Sequence, residues 1–285
     1  MTRDWSRYWH SADEPLEAMH AHFVRHVYHR HSHEGYSFGV TDEGAQAFSC
    51  RGGAHTSAAG MVMAFNPEDP HDGRAADELG FTYRMVHIGP ELVTGVLADV
   101  TGGRAGLPLF REPVVDDAVL ARNLRALHSA LLGGASALRR DELLTATVAS
   151  VVRRAAASGG RPAAAPTGAA LIAERARARL HDSYLEDLTA DELAAAAAHT
   201  RFGVYRAFRA VYGMAPSDYQ RQLRLREARR LIALGRPLAD VATHTGFADQ
   251  SHLTRWFVRC YGITPARYRR AARLTEPRPR PPLDG

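Results

Sequence analysis

The chain has 285 residues, 45% of them hydrophobic, which is enough for one or two domains with apolar cores. Its two cysteines, Cys50 and Cys260, are far apart and lack metal-type spacing, which argues against a disulfide framework or a thiolate zinc site and fits a reducing cytoplasm. No apolar run approaches the ~18 residues of a membrane span, and the polar start MTRDWSRYWHSADEPLE gives no expectation of a secretory signal.

The net charge of +5 is unevenly spread: residues 1–115 carry −6, residues 116–166 carry +3 and residues 167–285 carry +8. The basic half is C-terminal, as a nucleic-acid footprint requires, although a solvated basic surface gives the same count.

Along residues 24–88, short β-prone runs alternate with turns: YSFGV (36–40), AQAFSC (45–50), MVMAF (61–65) and FTYRMVHI (81–88). This pattern predicts a sandwich or barrel. From 116 the period becomes helical. Val119, Leu120, Leu124, Leu127 and Leu131 form one stripe, and Leu143, Leu144, Val148, Val151 and Val152 form a second that starts at Ser136 or Asp141. Such a pair either packs on the barrel or forms a dimer interface. Residues 159–168 read as a linker, 169–273 as helical throughout, and the Pro-rich 274–285 as a disordered tail.

The C-terminal part repeats at an offset of 49. Arg206, Phe208, Tyr212, Gly213, Pro216 and Tyr219 match Arg255, Phe257, Tyr261, Gly262, Pro265 and Tyr268. In the first copy Thr189 to Glu192 is a capping box, Thr200 is an N-cap and Gly213 a C-terminal stop. In the second, Thr245-Gly246-Phe247 is a turn and Asp249 an N-cap. Val204 with Phe208, and Leu253 with Phe257, form the buried pairs. Residues 219–235 form one connecting helix. Phe202, Tyr205 and Arg206 face outward in the first copy, as do Gln250, Ser251, Thr254 and Arg255 in the second. Polar groups at the start of such a helix can read major-groove base edges, while each singly can be a plain solvated face.

These motifs resemble the AraC/XylS family of regulators. The residues that carry the likeness are Arg224, Ala228 and Leu231; Val241, Ala242, Gly246 and Phe247; and Phe257, Tyr261, Gly262, Pro265 and Tyr268. The resemblance implies two helix-turn-helix units joined by a long helix, with His252 near the DNA backbone. It also implies an N-terminal cupin-like β-barrel with a helical hairpin. The expected layout is a 1–115 effector-sensing domain, a 116–158 helical pair and a 169–273 DNA-binding domain. The implied partners are double-stranded DNA, a small-molecule effector, a second copy of the chain as a homodimer, and RNA polymerase, with no membrane.

Two departures weaken the first unit. His199 stands where the family has a turn glycine, which predicts a strained turn. Gly203 lies inside a helix at a cost of about 1 kcal/mol against Ala. Base readout is therefore expected mainly from the second unit, with the first serving backbone positioning.

In the N-terminal half, the period of two places His29, His31 and His33 on one strand face. His71 follows the Pro67 to Pro70 loop, and His87 lies on a later strand. His31, His33, Tyr36, Phe38, Phe65, His71, Tyr83 and His87 are the candidate effector residues. Three readings compete for His31, His33 and His71: a metal-free effector pocket, a zinc-like divalent metal site, or a structural cluster. The catalytic cupin pattern wants Glu at position 38, which is Phe38, so a regulator is expected rather than a cupin enzyme with an appended helical domain. The expected mechanism is that an effector shifts the 116–155 helices or the linker.

Overall fold

The computed structural model describes residues 4–11, 14–101, 107–155 and 168–274. The expected linker, apart from Gly168, and the expected tail, apart from Leu274, lie outside these residues. Eight strands come first: β1 (Trp5–His10), β2 (Leu16–Phe23), β3 (Tyr28–His31), β4 (Tyr36–Cys50), β5 (Gly53–Ala58), β6 (Val62–Phe65), β7 (His71–Ala75) and β8 (Phe81–Ile88). α1 (Pro90–Thr101), β9 (Val114–Val115), α2 (Ala118–Leu132) and α3 (Ala137–Ala155) follow.

One layer runs β1-β2-β8-β4-β6-β9, and the other joins β3, β7 and β5 to the same β4. Tyr36 to Val40 of β4 pair with β8 and β6, whereas Ala45 to Cys50 pair with β5. A register shift between Thr41 and Glu43 bends β4 from one layer to the other. Gly44, at φ 68°, completes the bend, and a Cβ there would lie 2.0 Å from the Gly80 carbonyl oxygen. The barrel expected from the turn pattern is open, because β1 and β9 end their layer without pairing to each other. Short strands between turns report antiparallel pairing, and nothing in that pattern requires closure.

The first layer has two apolar faces set by strand parity. Even positions (Tyr36, Phe38, Val40, Val86 and Ile88) pack under Leu120, Leu124, Leu127, Leu131, Val148 and Val151 of α2 and α3. Odd positions (Met63, Phe65, Phe81, Tyr83 and Met85) face inward. The apolar stripes of both helices are therefore used in packing on the sheet, except for Val119, which the first turn of α2 leaves exposed. Asp117 caps α2 by accepting from the Val119 and Leu120 amides.

The C-terminal half contains α4 (Gly168–Asp182), α5 (Ala190–Ala196), α6 (Arg201–Tyr212), α7 (Pro216–Ala233), α8 (Leu238–His244), α9 (Gln250–Tyr261) and α10 (Pro265–Leu274). Both bonds of the Thr189–Glu192 capping box form. Thr200 and Asp249 cap α6 and α9. Val204 and Phe208 are buried in one core, and Leu253 and Phe257 in another. Gly213 and Gly262 end α6 and α9 at φ 66° and 65°. In the first turn the left-handed residue is Ala198, at φ 51°, and not His199. The segment between α5 and α6 is one residue shorter than that between α8 and α9, so the strain falls one position earlier than the sequence suggests.

His199 has another role. Its ring lies over Gly203, where an added Cβ would be 2.0 Å from Nδ1, and Nδ1 accepts the Thr200 amide at 2.9 Å. In a His199→Ala background, Gly203→Ala should therefore recover the full helix-propensity gain of about 1 kcal/mol. In the natural sequence the gain should be smaller or reversed. A double-mutant cycle by denaturant unfolding checks this; additive effects would contradict it.

A pH dependence follows from His128, buried between α2 and β2. Burial, with Arg84 close by, pushes its imidazole down to about 4, against about 6.5 in an unfolded chain. The folded state thus binds fewer protons than the unfolded state between these values. Its stabilising contribution is complete above about pH 6.5 and is lost as the pH falls toward about 4. His128→Gln should flatten the unfolding free energy over that window.

Candidate functional site

Strand parity and the bent β4 place a pocket inside the open barrel. His31, His33, Phe65, His71, Tyr83 and His87 line it, together with Tyr8 and Glu17 from β1 and β2. Tyr36 and Phe38 do not. They lie on even positions of β4 and pack with Phe110 beneath the helices. Position 38 therefore faces away from the pocket. His29 also leaves the cluster, because the register shifts between Tyr28 and His31. Its ring packs on Trp256 instead, at 5.1 Å between centroids.

The rings of His31, His33 and His71 have centroids 4.8, 4.5 and 5.2 Å apart, and His87 is 4.4 Å from His33. The Nδ1–H of His31 donates to the His29 carbonyl at 2.7 Å, and that of His71 to the Asp69 carbonyl at 2.8 Å. Burial first, then the neighbouring imidazoles, holds His31 and His33 well below the usual range. Burial likewise pushes His71 and His87 down to about 4, so these rings are neutral at neutral pH.

The roof of the pocket comes from the other half of the chain: Arg229 of α7, Cys260 and Tyr261 of α9, Ile263, and Tyr268 of α10. The Arg229 guanidinium donates to both carboxylate oxygens of Glu17 and, at 3.2 Å, to Tyr8 Oη. Tyr8 also donates to Glu17, and Arg229 stacks 4.8 Å from the Tyr261 ring and 5.2 Å from Tyr268. Burial pushes the Glu17 carboxyl up, but Arg229, His87 and the Tyr8 hydroxyl outweigh it and hold it below its ordinary value. Both members of the pair stay charged.

α7 grips the rim at two more points. Gln222 Nε2 donates to the Ser32 carbonyl at 2.6 Å, and Arg226 donates to Glu68 at 2.8 Å. Ser32 lies between two of the clustered histidines and itself donates to Glu68 at 3.0 Å. Glu68 holds a left-handed φ of 63°, a strained setting for a non-glycine residue. The glycine caps also press on the barrel: a Cβ on Gly262 would lie 2.5 Å from Tyr28 Oη, and one on Gly213 would lie 2.8 Å from the Arg30 guanidinium.

The opposite ends of α6 and α9 are open. Phe202 and Tyr205 are 67% and 42% exposed, and Arg206 lies over the Phe202 ring at 5.2 Å. Gln250, Ser251 and Arg255 are exposed and Thr254 is half-buried. His252 differs, because its Nε2 accepts the Trp256 indole N–H at 3.0 Å and its ring packs on Phe247. It fixes the start of α9.

Sequence reasoning missed Tyr8, Glu17, Gln222, Arg226, Arg229, Tyr261 and Tyr268 as site residues. Arg229 reads as one of several solvated arginines, and Glu17 as part of a polar N-terminus. Each alone carries no signal; only their meeting across the fold does.

Residues 15–148 match the family model described as "AraC-like ligand binding domain", and residues 193–271 match "Helix-turn-helix domain". An uncharacterized HTH-type transcriptional regulator, YbfI of Bacillus subtilis, is 26% identical over 228 residues, covering 78% of this chain and 80% of that one. Among solved structures, an apo form of ToxT from Vibrio cholerae has a TM-score of 0.54 at 9% identity, covering 95% of this chain and 98% of that one. A ToxT structure bound to (E)-4-(8-methylnaphthalen-1-yl)but-3-enoic acid has a TM-score of 0.55 at 9% identity, covering 95% and 100%. These ToxT likenesses establish the shared two-part fold. No helix among the described residues is long and apolar enough to cross a membrane. An AraC-like ligand-binding barrel roofed by a helix-turn-helix half, each matched by its own family model, is the domain set of a transcriptional regulator rather than of an enzyme.

Proposed function

We propose that the pocket beneath Arg229 is the effector site and that the DNA-binding half is its movable roof. The observation that carries this reading is the Glu17–Arg229 pair, because Arg229 belongs to the helix joining the two helix-turn-helix units. An effector carrying a carboxylate competes with Glu17 for Arg229 and so loosens the roof. The ToxT structures bound to an unsaturated fatty acid and to a butenoic acid derivative support an organic acid as the ligand class. The sequence alone suggested a signal through the 116–155 helices or the linker. Direct contact of α7, α9 and α10 with the barrel rim offers a shorter route.

In this reading Gln250, Ser251, Thr254 and Arg255 read base edges, while Phe202, Tyr205 and Arg206 mainly position the first unit on the DNA backbone. His252 acts by fixing α9. Two copies of the chain bind paired half-sites in the cytoplasm and act on RNA polymerase. Because the apolar stripes of α2 and α3 are buried on the sheet, a dimer through these helices uses their outer faces.

Arg229→Met leaves Glu17 buried without its partner and should cost about 3–5 kcal/mol, with much of it recovered in the Glu17→Gln/Arg229→Met double variant. Denaturant unfolding measures both; a cost below about 1 kcal/mol, the worth of an exposed pair, would remove the clamp from the account. Arg255→Ala should lose about 1–3 kcal/mol of DNA affinity and relax preference at one base position. Binding-site selection from random duplexes checks this, and an unchanged profile would strike Arg255 from the readers.

A further inference from the structure

The histidines on the pocket floor are arranged for more than lining a cavity. Their donor atoms all lie within 4.8 Å of one another. His31 and His71 are register partners on β3 and β7, so the sheet itself sets their spacing. Three imidazoles held tetrahedrally by zinc at about 2.0–2.1 Å have ring centroids about 5 Å apart. The observed centroid separations are 4.8, 4.5 and 5.2 Å.

The tautomers are fixed as well. A backbone carbonyl can only accept, so the bonds to the His29 and Asp69 carbonyls, at 2.7 and 2.8 Å, keep the proton of His31 and His71 on Nδ1. Each ring then presents an Nε2 lone pair. A carbonyl behind Nδ1 is the usual outer support of a metal-bound histidine. The trio has no carboxylate, so its three neutral nitrogens suit a transition ion and not calcium or magnesium. The free cavity of about 50 Å³ is room for an ion and a few waters.

We propose that His31, His33 and His71 bind one zinc-like divalent ion, His31 and His71 through their Nε2 atoms, leaving a fourth coordination position open on the pocket side. Three protein ligands with an open position make an exchangeable site and not a closed structural one. His87 lies beside His33 and holds its Nδ1 2.8 Å from Ser37 Oγ. The ion would take a donor atom of an anionic effector, a role that rests on the reading of this pocket as the effector site.

The test uses the full-length chain dialysed against a chelator and titrated with Zn²⁺ by calorimetry and with Co²⁺ by visible absorption. One tight equivalent per chain and the intense d–d bands of four-coordinate Co²⁺ are expected. His31→Ala and His71→Ala should each weaken binding more than the roughly 10–100-fold that outer-support changes cost. His55→Ala, outside the cluster, should bind as the natural chain does. Absence of a stoichiometric site, or unchanged binding in His31→Ala and His71→Ala, overturns the proposal. If these variants fail to fold, X-ray absorption of the Zn²⁺-loaded natural protein decides: a shell of three imidazoles supports the site and an all-oxygen shell overturns it. If no metal binds while Arg229→Met still alters DNA binding, the metal site falls and the movable roof stands.

Discussion

The arrangement of the two halves depends on one largely buried ion pair, Glu17 with Arg229, which are 20% and 19% exposed. Taking two charges out of water costs several kcal/mol per ion, and mutual attraction offsets this only when further hydrogen bonds complete the site. Here Tyr8 and Tyr268 bond the pair, and the Tyr261 and Tyr268 rings lie against the guanidinium. A purely apolar plug would seal the pocket more firmly. A charged one holds only while its partners are matched, so a competing anion can release it.

α7 turns that pairing into a lever. Gln222, Arg226 and Arg229 are spaced by four and three residues, so they share one face of the helix and all three meet the barrel rim. Leu225, Ala228 and Ile232 occupy another face and enter the core of the second helix-turn-helix unit. Displacing α7 from the rim therefore displaces the α9 recognition helix with it. The contact is made by the C-terminal ends of α6 and α9, at Gly213 and Gly262, while their N-terminal ends, one full helix length away, stay open. The barrel contact and the open polar face thus occupy opposite ends of the same elements.

What was legible in the sequence is what is encoded locally. The Thr189–Glu192 capping box, the Asp249 cap and the glycine stops at 213 and 262 depend on neighbours within a turn, and each forms where the motif places it. The inward direction of His31, His33 and His71 was visible too. The loss of His29 from that face was not, because a register shift depends on the partner strand β7. Tyr36 and Phe38 looked like pocket residues because alternation tells two faces apart without saying which one is inside. The first turn was misplaced by one residue, since Ala198 and not His199 takes the left-handed conformation. The roof was illegible for a simpler reason: Glu17 and Arg229 are 212 positions apart.

Hydrogen exchange on the full chain, comparing the natural protein with Arg229→Met, tests the central claim most directly. If Arg229 holds the roof, its removal should raise exchange together in β1, β2, α9 and α10 while leaving α2 and α3 unchanged. Faster exchange confined to the turn around position 229, with β1, β2 and α10 as protected as before, would contradict the account.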